Sequence, residues 1–580
     1  MEPIAPAVRG VGARALRPAG SAGLGILSEA ALYLVTGVIA FLVFNRVTLA
    51  NGLDPIPGDV GDVRFVVGIL EHWLDVFGGK TSWLSPRFYH PVEGTLGYSE
   101  VFFLFALPYA PLRWLGLDPF TAYLGVCFLT GPIGYAGALV FLRGQLGLHP
   151  VAAAAAAAAF AFSNGLFLAT NHPQLLFVDL VPWLAVLLLG YVRRMAQPSP
   201  ARLRFGIGFL ALLAAVAYSS FYTAWYFGFA VMLGLIAAVP WLLAGGGARR
   251  AWGWVVRERA HVLTLLACAV FFMVPFAVTY LPVRAMFGGR GYGDTVSMLP
   301  TVRDFLNIGY ENLLWGRRIM RWFPAFDLRP AYGELRMGLT PALLLVFLAG
   351  GALMAWRATF GRRWSGAAPA RAETDMIALV AGGAVILAWL LMVKIGGVSA
   401  WKLVHAVVPG SGAIRAVFRM NLVLAFPAAV VAAILLSRLL RGAAALPPWL
   451  GRPLWVGVAA LSGLLVVEQF NNHIPTFSRQ SQLAKLAVPP PPAECRSFFL
   501  TVAPGRAAES WELQIDAQHI AEATDLPTLN GYSGWAPFGW GLGDPRAPGY
   551  RDAVRSWIER HGLTGVCELT VGPGGGWRAG

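Results

Sequence analysis

Apolar residues occur along this chain in long runs that short polar segments separate. Eleven of these runs are near the ~20 residues that a helix needs to cross the hydrocarbon core of a bilayer. They predict a polytopic α-helical membrane protein with about eleven transmembrane helices. The predicted spans are 26–49, 119–142, 151–170, 174–192, 204–220, 222–244, 261–283, 338–356, 376–394, 416–437 and 453–470.

A further apolar run, 100–117, is predicted not to cross. Basic clusters such as 249–259 and 357–371 fall between alternate pairs of spans, as expected for cytoplasmic loops. Crossing by 100–117 would move every later basic cluster to the outside. Its interior Pro108 and Pro111 favour a juxtamembrane helix that lies at the outer membrane surface.

The same charge pattern predicts the domain organisation. Arg9, Arg14 and Arg17 precede the first run, which therefore reads as a retained signal anchor with a cytoplasmic N-terminus. The predicted parts are the N-terminus 1–25, the transmembrane domain 26–470 with long outer loops 51–118 and 284–337, and an outer soluble domain 471–580.

Composition supports this division. Hydrophobic residues make up 57% of the chain, charged residues only 13%, and mean hydropathy is +0.60, which excludes a single soluble domain. The formal net charge is +15, and residues 471–580 carry nine Lys/Arg against ten Asp/Glu, so the basic excess lies in the membrane part. We therefore attribute it to cytoplasmic loops and expect no nucleic-acid partner.

The C-terminal segment is predicted to be a small α/β domain. Residues 497–502 and 566–571 read as strands, and 516–523 and 550–561 as helices. Its only two cysteines, Cys495 and Cys567, lie at these two strand segments. Because an outer compartment is oxidising, we predict that they form a disulfide.

Candidate chemistry begins just after the first span, in 58-GDVGDVRF-65. Asp59 and Asp62 lie three residues apart with Arg64 beside them. Partly desolvated carboxylates at a membrane surface are suited to acid–base work, and a solvated polar loop is the alternative. We predict Asp59 and Asp62 as catalytic residues and Arg64 as a substrate contact.

Further polar residues follow at the ends of outer segments. His90 and Glu100 come before the juxtamembrane helix, and His172, Gln174 and Tyr222 lie in two outer turns, 171-NHPQ-174 and 218-YSSFY-222. We predict that all five line a substrate cavity, since polar groups at bilayer depth face a cavity or a partner. Carboxylates and imidazoles in this set leave a divalent cation possible, but none is required.

Arginines in the predicted outer segments require a functional explanation, because positively charged residues are normally enriched in cytoplasmic loops. Arg415 and Arg419 precede a span and lie four apart, which predicts one helical face, and Arg317 and Arg318 lie in the second outer loop. Guanidinium groups there suit phosphate recognition, while contact with lipid headgroups is the alternative. Nucleotide-binding and soluble hydrolase motifs are absent from the sequence, so an activated donor is expected from the membrane itself.

This layout resembles the GT-C superfamily of membrane glycosyltransferases, which includes aminoarabinose transferases and protein O-mannosyltransferases. The resemblance rests on acidic residues after the first span, the long first outer loop with juxtamembrane helices, and a second long outer loop after the seventh span. The tail, with 529-LNGYSGWAP-537 and 565-GVCELTV-571, resembles the outer domains of bacterial membrane proteins of this type without an assigned substrate.

The resemblance implies a function. A polyprenyl-phosphate sugar would be the donor, an envelope glycan, lipid or protein the acceptor, and the anomeric centre would be inverted in the bacterial inner membrane. Asp59, with Asp62 as the second choice, would be the general base, although D-x-x-D departs from the usual adjacent acidic pair. A transporter of lipid-linked glycans and a non-catalytic envelope-assembly subunit are the alternatives. Nearly acid-free spans, with Asp179 and Glu468 as exceptions, disfavour ion-coupled transport.

Overall fold

The structure is a computed structural model. It describes residues 25–578 except for 196–197, 245–246, 323–334, 361–368, 473, 504–507 and 573. The predicted cytoplasmic N-terminus therefore lies outside the described residues apart from Gly25, and so does part of the second outer loop.

Ten helices in the described ranges are long and apolar enough to cross a membrane, and a bent pair brings the number to eleven. The bent pair, Arg259–Phe272 and Val274–Phe287, turns by 57° at its break. Each of the eleven overlaps a predicted run, so the multi-pass helical fold is confirmed. The other ten are Ile26–Phe44, Pro119–Gln145, Pro150–Asn171, Pro173–Arg194, Pro200–Ser219, Phe221–Pro240, Pro341–Ala358, Glu373–Met392, Val417–Ala444 and Pro448–Val467.

The centre of the bundle is the helix Met420–Ala444, which is buried along almost its whole length. It packs against Pro150–Ala161, whose run of eight alanines, 152–159, is buried throughout. Small side chains allow two helix backbones to approach closely. Van der Waals packing then holds the helices together in a membrane, where no hydrophobic effect acts between them. The poly-alanine run therefore acts as a packing surface for the central helix.

The apolar run 100–117 forms a helix of only twelve residues, Phe103–Trp114. At 1.5 Å per residue it is about 18 Å long, too short to span the ~30 Å hydrocarbon core. Arg113 Nε lies 2.6 Å from Glu71 Oε1, which ties this helix to Asp62–Phe77. The structure thus agrees with the prediction that this run does not cross. Other short α-helices in the described ranges are Arg46–Ala50, Gly247–Arg257, Tyr292–Val296, Gly316–Trp322, Trp401–Val407 and Arg479–Leu486.

The C-terminal segment has the predicted α/β character. Strand Ser497–Val502 pairs in parallel with Val566–Val571, which pairs antiparallel with Trp577–Arg578. Helices Ser510–Thr524 and Tyr550–His561 pack against this sheet. Cys495 and Cys567 form the predicted disulfide, with their Cα atoms 5.6 Å apart.

This C-terminal segment docks on the loop that follows the first span. Strand Pro55–Pro57 pairs antiparallel with Thr476–Ser478. A buried ion pair joins Arg64 to Asp516, and Arg87 Nη1 lies 2.8 Å from Glu522 Oε2. Removing one partner of a buried ion pair leaves an uncompensated charge, which is strongly destabilising. These contacts therefore fix the C-terminal segment above the acidic residues of the loop.

Candidate active site at the end of the helical bundle

Asp59 is positioned by a tight turn after strand Pro55–Pro57. Gly58 has a φ of +118°, a conformation that residues with a Cβ atom rarely adopt, and a Cβ there would also clash with Val63. Asp59 Oδ1 accepts hydrogen bonds from the backbone N–H groups of Gly61, at 2.7 Å, and Asp62, at 2.8 Å. The spacing G-D-x-G-D therefore starts the helix Asp62–Phe77 with Asp59 satisfying its first N–H groups.

Asp62 and His172 form the most direct pair of the site. His172 Nδ1 lies 2.7 Å from Asp62 Oδ2, and the two side chains are 23% and 36% exposed. His172 is placed by the turn between two short 3₁₀ helices, Ala169–Asn171 and Pro173–Leu180. A carboxylate that an imidazole orients in this way, and that solvent still reaches, can take a proton from a bound hydroxyl.

The neighbouring Asp59 carboxyl is less acidic than usual. Burial raises its pKa, and the nearby Asp62 carboxylate raises it further, while the two backbone N–H groups oppose the shift. The Asp59 carboxyl group therefore holds its proton to a higher pH than an exposed aspartate would.

Glu100 and Arg419 form the second half of the site. Burial raises the pKa of Glu100 to about 7, and the Arg419 guanidinium partly opposes that shift. Ser220 donates its hydroxyl hydrogen to Glu100 Oε1 at 3.2 Å. The Asp62 carboxylate also acts on the pKa of Glu100, so the two halves of the site are electrostatically connected.

Tyr222 links the two outer arginines. The Arg419 guanidinium lies 5.5 Å from the centre of the Tyr222 ring, and the backbone N–H of Arg415 donates to the Tyr222 hydroxyl at 3.1 Å. The prediction that Arg415 and Arg419 share one helical face is wrong. The long helix begins only at Met420, so the residues before it form turns that leave Arg415 exposed and Arg419 buried.

Four other predicted residues contact different parts of the chain. Arg64 is buried against Asp516 and holds the C-terminal segment. The His90 carbonyl oxygen accepts from Trp557 Nε1 at 2.9 Å, which also places this residue against that segment. Within the described part of the chain, the Arg317 guanidinium lies over the Tyr310 ring and Arg318 donates to the Leu314 carbonyl oxygen, both in the same loop.

Gln174 is half-buried in the 3₁₀ helix that follows His172. Its role as a substrate contact stays a prediction, as do those of the four residues above. The structure brings together Asp59, Asp62, Glu100, His172, Tyr222 and Arg419.

Two aromatic residues of the C-terminal segment lie beside the acidic pair, and sequence reasoning missed them. A Cβ atom on Gly61 would lie 3.2 Å from Cζ3 of Trp511. The Tyr532 ring centre lies 6.4 Å from that of Trp511, and the pKa of Tyr532 is raised by burial and then by Asp62 and Asp59. Only the docking of a segment more than 400 residues away creates this arrangement, and no local motif signals it.

The candidate metal ligands do not converge. Among the residues that the structure describes, no group of three or more His, Cys, Asp or Glu side chains could hold a metal ion. Asp59 and Asp62 offer two carboxylates, and oxygen ligands are those that hard divalent cations prefer. A divalent cation at the site is therefore still possible, as the sequence predicts, but not required.

No protein-family model matches the chain, and no curated protein does either. Among solved structures, the apo oligosaccharyltransferase of Archaeoglobus fulgidus matches with 12% identity and a TM-score of 0.46, over 93% of this chain and 69% of that one. Apo ArnT from Cupriavidus metallidurans matches with 12% identity and a TM-score of 0.42, over 94% and 93%. The same ArnT bound to undecaprenyl phosphate matches with 13% identity and a TM-score of 0.38, over 87% and 86%.

The polar cluster lies at the end of the helical bundle where the first loop and the C-terminal segment meet. It combines carboxylates that can accept a proton with a buried guanidinium that can bind an anion. Proton removal and anion binding in one site are what a displacement with an anionic leaving group requires.

Proposed function

We propose that the chain is a membrane glycosyltransferase that moves a sugar from a polyprenyl-phosphate donor to a hydroxyl group of an envelope acceptor. The observation that carries the proposal is the juxtaposition of the Asp62–His172 pair with Glu100 and Arg419. The proposal includes a glycan, a lipid or a protein as the acceptor. The site faces the outside of a bacterial inner membrane in this proposal, and the N-terminus is cytoplasmic.

In the proposed reaction Asp62 is the general base, with Asp59 as the second choice. Asp62 has a hydrogen-bonded imidazole and partial access to solvent, whereas Oδ1 of Asp59 is engaged by two backbone N–H groups. The acceptor hydroxyl loses its proton to the carboxylate, and its oxygen forms a new bond to the anomeric carbon. The bond between that carbon and the phosphate oxygen breaks, and the electron pair leaves with polyprenyl phosphate.

Arg419 is the proposed contact for the departing phosphate, with Arg415 beside it. A guanidinium offers forked donors to phosphate oxygens and stabilises the charge that develops on the leaving group. Tyr222 holds Arg419 and the backbone of Arg415 in place through its ring and hydroxyl. Inversion follows in this proposal because a single displacement reverses the anomeric centre.

The test is to incubate the purified chain with polyprenyl-phosphate sugars and to measure released polyprenyl phosphate. We expect release by the wild-type chain and its loss in Asp62→Asn. Glu93→Gln is the matched control, since Glu93 is an exposed acid of the same loop. Release that is equal in all three proteins would overturn the catalytic proposal and favour a non-catalytic assembly subunit.

The transporter alternative depended on acids within spans, and Glu468 now has another explanation. Its carboxylate accepts from Thr340 Oγ1 at 2.6 Å and from the backbone N–H groups of Ala342 and Leu343, each at 2.8 Å. These are the first N–H groups of the helix Pro341–Phe360. Glu468 therefore stabilises a helix start, as a carboxylate at the positive end of a helix does.

A further inference from the structure

Trp511 and Tyr532 lie beside the acidic pair, and the proposed displacement gives them no role. A Cβ atom on Gly61 would lie 3.1 Å from Oδ1 of Asp59 and 3.2 Å from Cζ3 of Trp511, so the carboxylate and the indole flank one glycine. Both aromatic residues are only half-buried, and the Asp62 side chain is 36% exposed. The two rings and the carboxylates therefore border a surface that an incoming molecule can reach.

Tyr532 packs on the helix that begins with Asp62. Its ring centre lies 5.9 Å from that of Phe65, one helical turn after Asp62, and the two rings meet edge to face. Burial raises the pKa of Tyr532, and the carboxylates of Asp62 and Asp59 raise it further. The phenol therefore keeps its hydrogen at neutral pH and can donate it to an oxygen atom of a ligand.

Hydrogen bonds fix the two rings relative to each other. The helix Ser510–Thr524 carries Trp511 and also Gln514 and Gln518, whose spacings of three and four residues place all three on one side. Gln518 Nε2 donates to the Tyr532 carbonyl oxygen at 2.8 Å, and Gln514 Oε1 accepts from the N–H group of the residue before it at 2.9 Å. Both glutamines are buried, so the helix that carries one ring holds the segment that carries the other.

This arrangement fits the chemistry of a sugar ring. The face of a pyranose carries C–H groups and its edge carries hydroxyl groups, so the ring can lie against an aromatic side chain while its hydroxyls bind polar atoms. A lipid chain would need a continuous apolar surface instead. In the described part of the C-terminal segment, Phe538 is the one large hydrophobic side chain that is strongly exposed, and its ring lies against Phe287.

We propose that Trp511 and Tyr532 bind a sugar ring of the acceptor, so that the acceptor is a glycan. The C–H face of that ring lies against the indole of Trp511, the Tyr532 hydroxyl donates to one of its oxygen atoms, and a hydroxyl of the same ring reaches Asp62. This inference rests on the proposed function and narrows it, because it selects a carbohydrate over a lipid or a protein. The arginine side of the site, with Arg419, is then left to the donor phosphate.

Saturation-transfer NMR tests this site without requiring turnover. The probes are the methyl glycosides of glucose, galactose, mannose and N-acetylglucosamine, each added to the full chain in lipid nanodiscs. We expect at least one glycoside to receive saturation at its ring C–H protons. Trp511→Ala should weaken its binding about tenfold, whereas Trp511→Phe keeps an aromatic face and should retain most of it. Phe538→Ala, which removes an exposed ring of the same segment, is the matched control and should change nothing.

A second variant removes the hydrogen bond and keeps the packing. Tyr532→Phe still contacts Phe65 but lacks the hydroxyl, so glycoside binding should weaken by about threefold to tenfold. Retention of the disulfide and of the wild-type elution volume shows that each variant is folded. Saturation of none of the glycosides, or equal saturation in the wild-type chain, Trp511→Ala and Tyr532→Phe, would overturn the inference.

Turnover separates this inference from the function on which it rests. Slow hydrolysis of the polyprenyl-phosphate donor by water reports the transferase chemistry without any acceptor. With hydrolysis present, we expect transfer to the glycoside that binds best, and Trp511→Ala should raise its KM about tenfold with a smaller change in kcat. A kcat/KM for octanol or for N-acetylserine methylamide that equals or exceeds the values for all glycosides would overturn the glycan acceptor and favour a lipid or a protein. Absent hydrolysis and transfer would overturn the proposed function even if a glycoside still binds.

Discussion

The Nδ1 atom of His172 lies 2.7 Å from Oδ2 of Asp62, which joins two segments that are 110 residues apart. The imidazole fixes one carboxylate oxygen of Asp62, so the lone pairs of the carboxylate have a defined direction. A carboxylate fixed in this way suits a general base whose position must match an incoming hydroxyl group.

The first prediction concerns the two aspartates. Asp62→Asn should lower kcat for release of polyprenyl phosphate by about 10²–10⁴-fold, the range for loss of a general acid or base. Asp59→Asn should also lower kcat, because its carboxylate organises the start of the helix that carries Asp62. Initial rates with folded, monodisperse protein measure both effects. Wild-type rates in both variants would place the chemistry elsewhere.

The second prediction concerns pH and Glu100. Its pKa is raised to about 7, so Glu100 is mostly neutral below pH 7 and mostly ionised above it. The ionised form competes with the donor phosphate for Arg419, so donor KM should rise as pH increases through about 7. The same shift affects the free energy of unfolding. Because folding raises the pKa of this carboxyl group, the group favours the folded state at low pH, and that contribution is lost as pH rises through the folded pKa.

Glu100→Gln is the matched variant, because the amide imitates the protonated acid at every pH. Its donor KM should stay low and flat between pH 6 and 8, a window of about one unit on each side of that pKa. The measurement is the pH profile of KM for wild-type and variant proteins. A profile with the same inflection in both would show that another group titrates.

The third prediction separates the two outer arginines. Arg419 is buried beside Glu100 and Tyr222, whereas Arg415 is exposed. Lysine keeps the charge but loses the forked donors, so Arg419→Lys should raise donor KM by about tenfold. Arg415→Lys should have a smaller effect, and Arg317→Lys, at an exposed position of the second loop, serves as the control. If the donor KM is unchanged in all three variants, these arginines do not bind the donor phosphate, and contact with lipid headgroups is the role that remains for them.

Length and hydrophobicity explain why the spans could be predicted from sequence. A membrane helix satisfies its own backbone within one continuous segment, so its signal is local. The strands Ser497–Val502 and Val566–Val571 carry similarly local patterns, and the structure has them at the predicted positions. The candidate pair Asp59 and Asp62 was also found locally, because both follow the end of the first span.

Contacts between distant segments explain what could not be predicted. Arg64 adjoins Asp62 in sequence, yet it pairs with Asp516, which lies 452 residues further along the chain. Trp511 and Tyr532 reach the acidic pair because this ion pair, together with strand pairing and the Arg87–Glu522 contact, docks the C-terminal segment on the first loop. Arg415 and Arg419 have helical spacing, but the turns before Met420 direct them into different environments. In each case tertiary contacts, and not local spacing, decide the role of the residue.

The fourth prediction concerns orientation. Basic clusters in alternate connections predict that a reporter fused after Arg250 is cytoplasmic and one fused after Asn472 is outside. Phosphatase and fluorescent-protein fusions at these two positions measure the two compartments. A cytoplasmic reporter after Asn472 would contradict the eleven-span arrangement and require a different number of crossings.

The last prediction concerns the disulfide between Cys495 and Cys567, which closes a loop with a sequence separation of 72 residues. Loop-closure entropy gives a stabilisation of roughly 4–5 kcal/mol for a loop of that length. The remaining cysteines, Cys127 and Cys268, are free. Thiol labelling of the denatured, non-reduced chain should therefore give two labels, and reduction should give four. Reduction should also loosen the C-terminal segment that carries Trp511 and Tyr532, and so lower activity. Four labels before reduction would show that the thiols meet a reducing compartment in the cell, and would contradict an outer location for this segment.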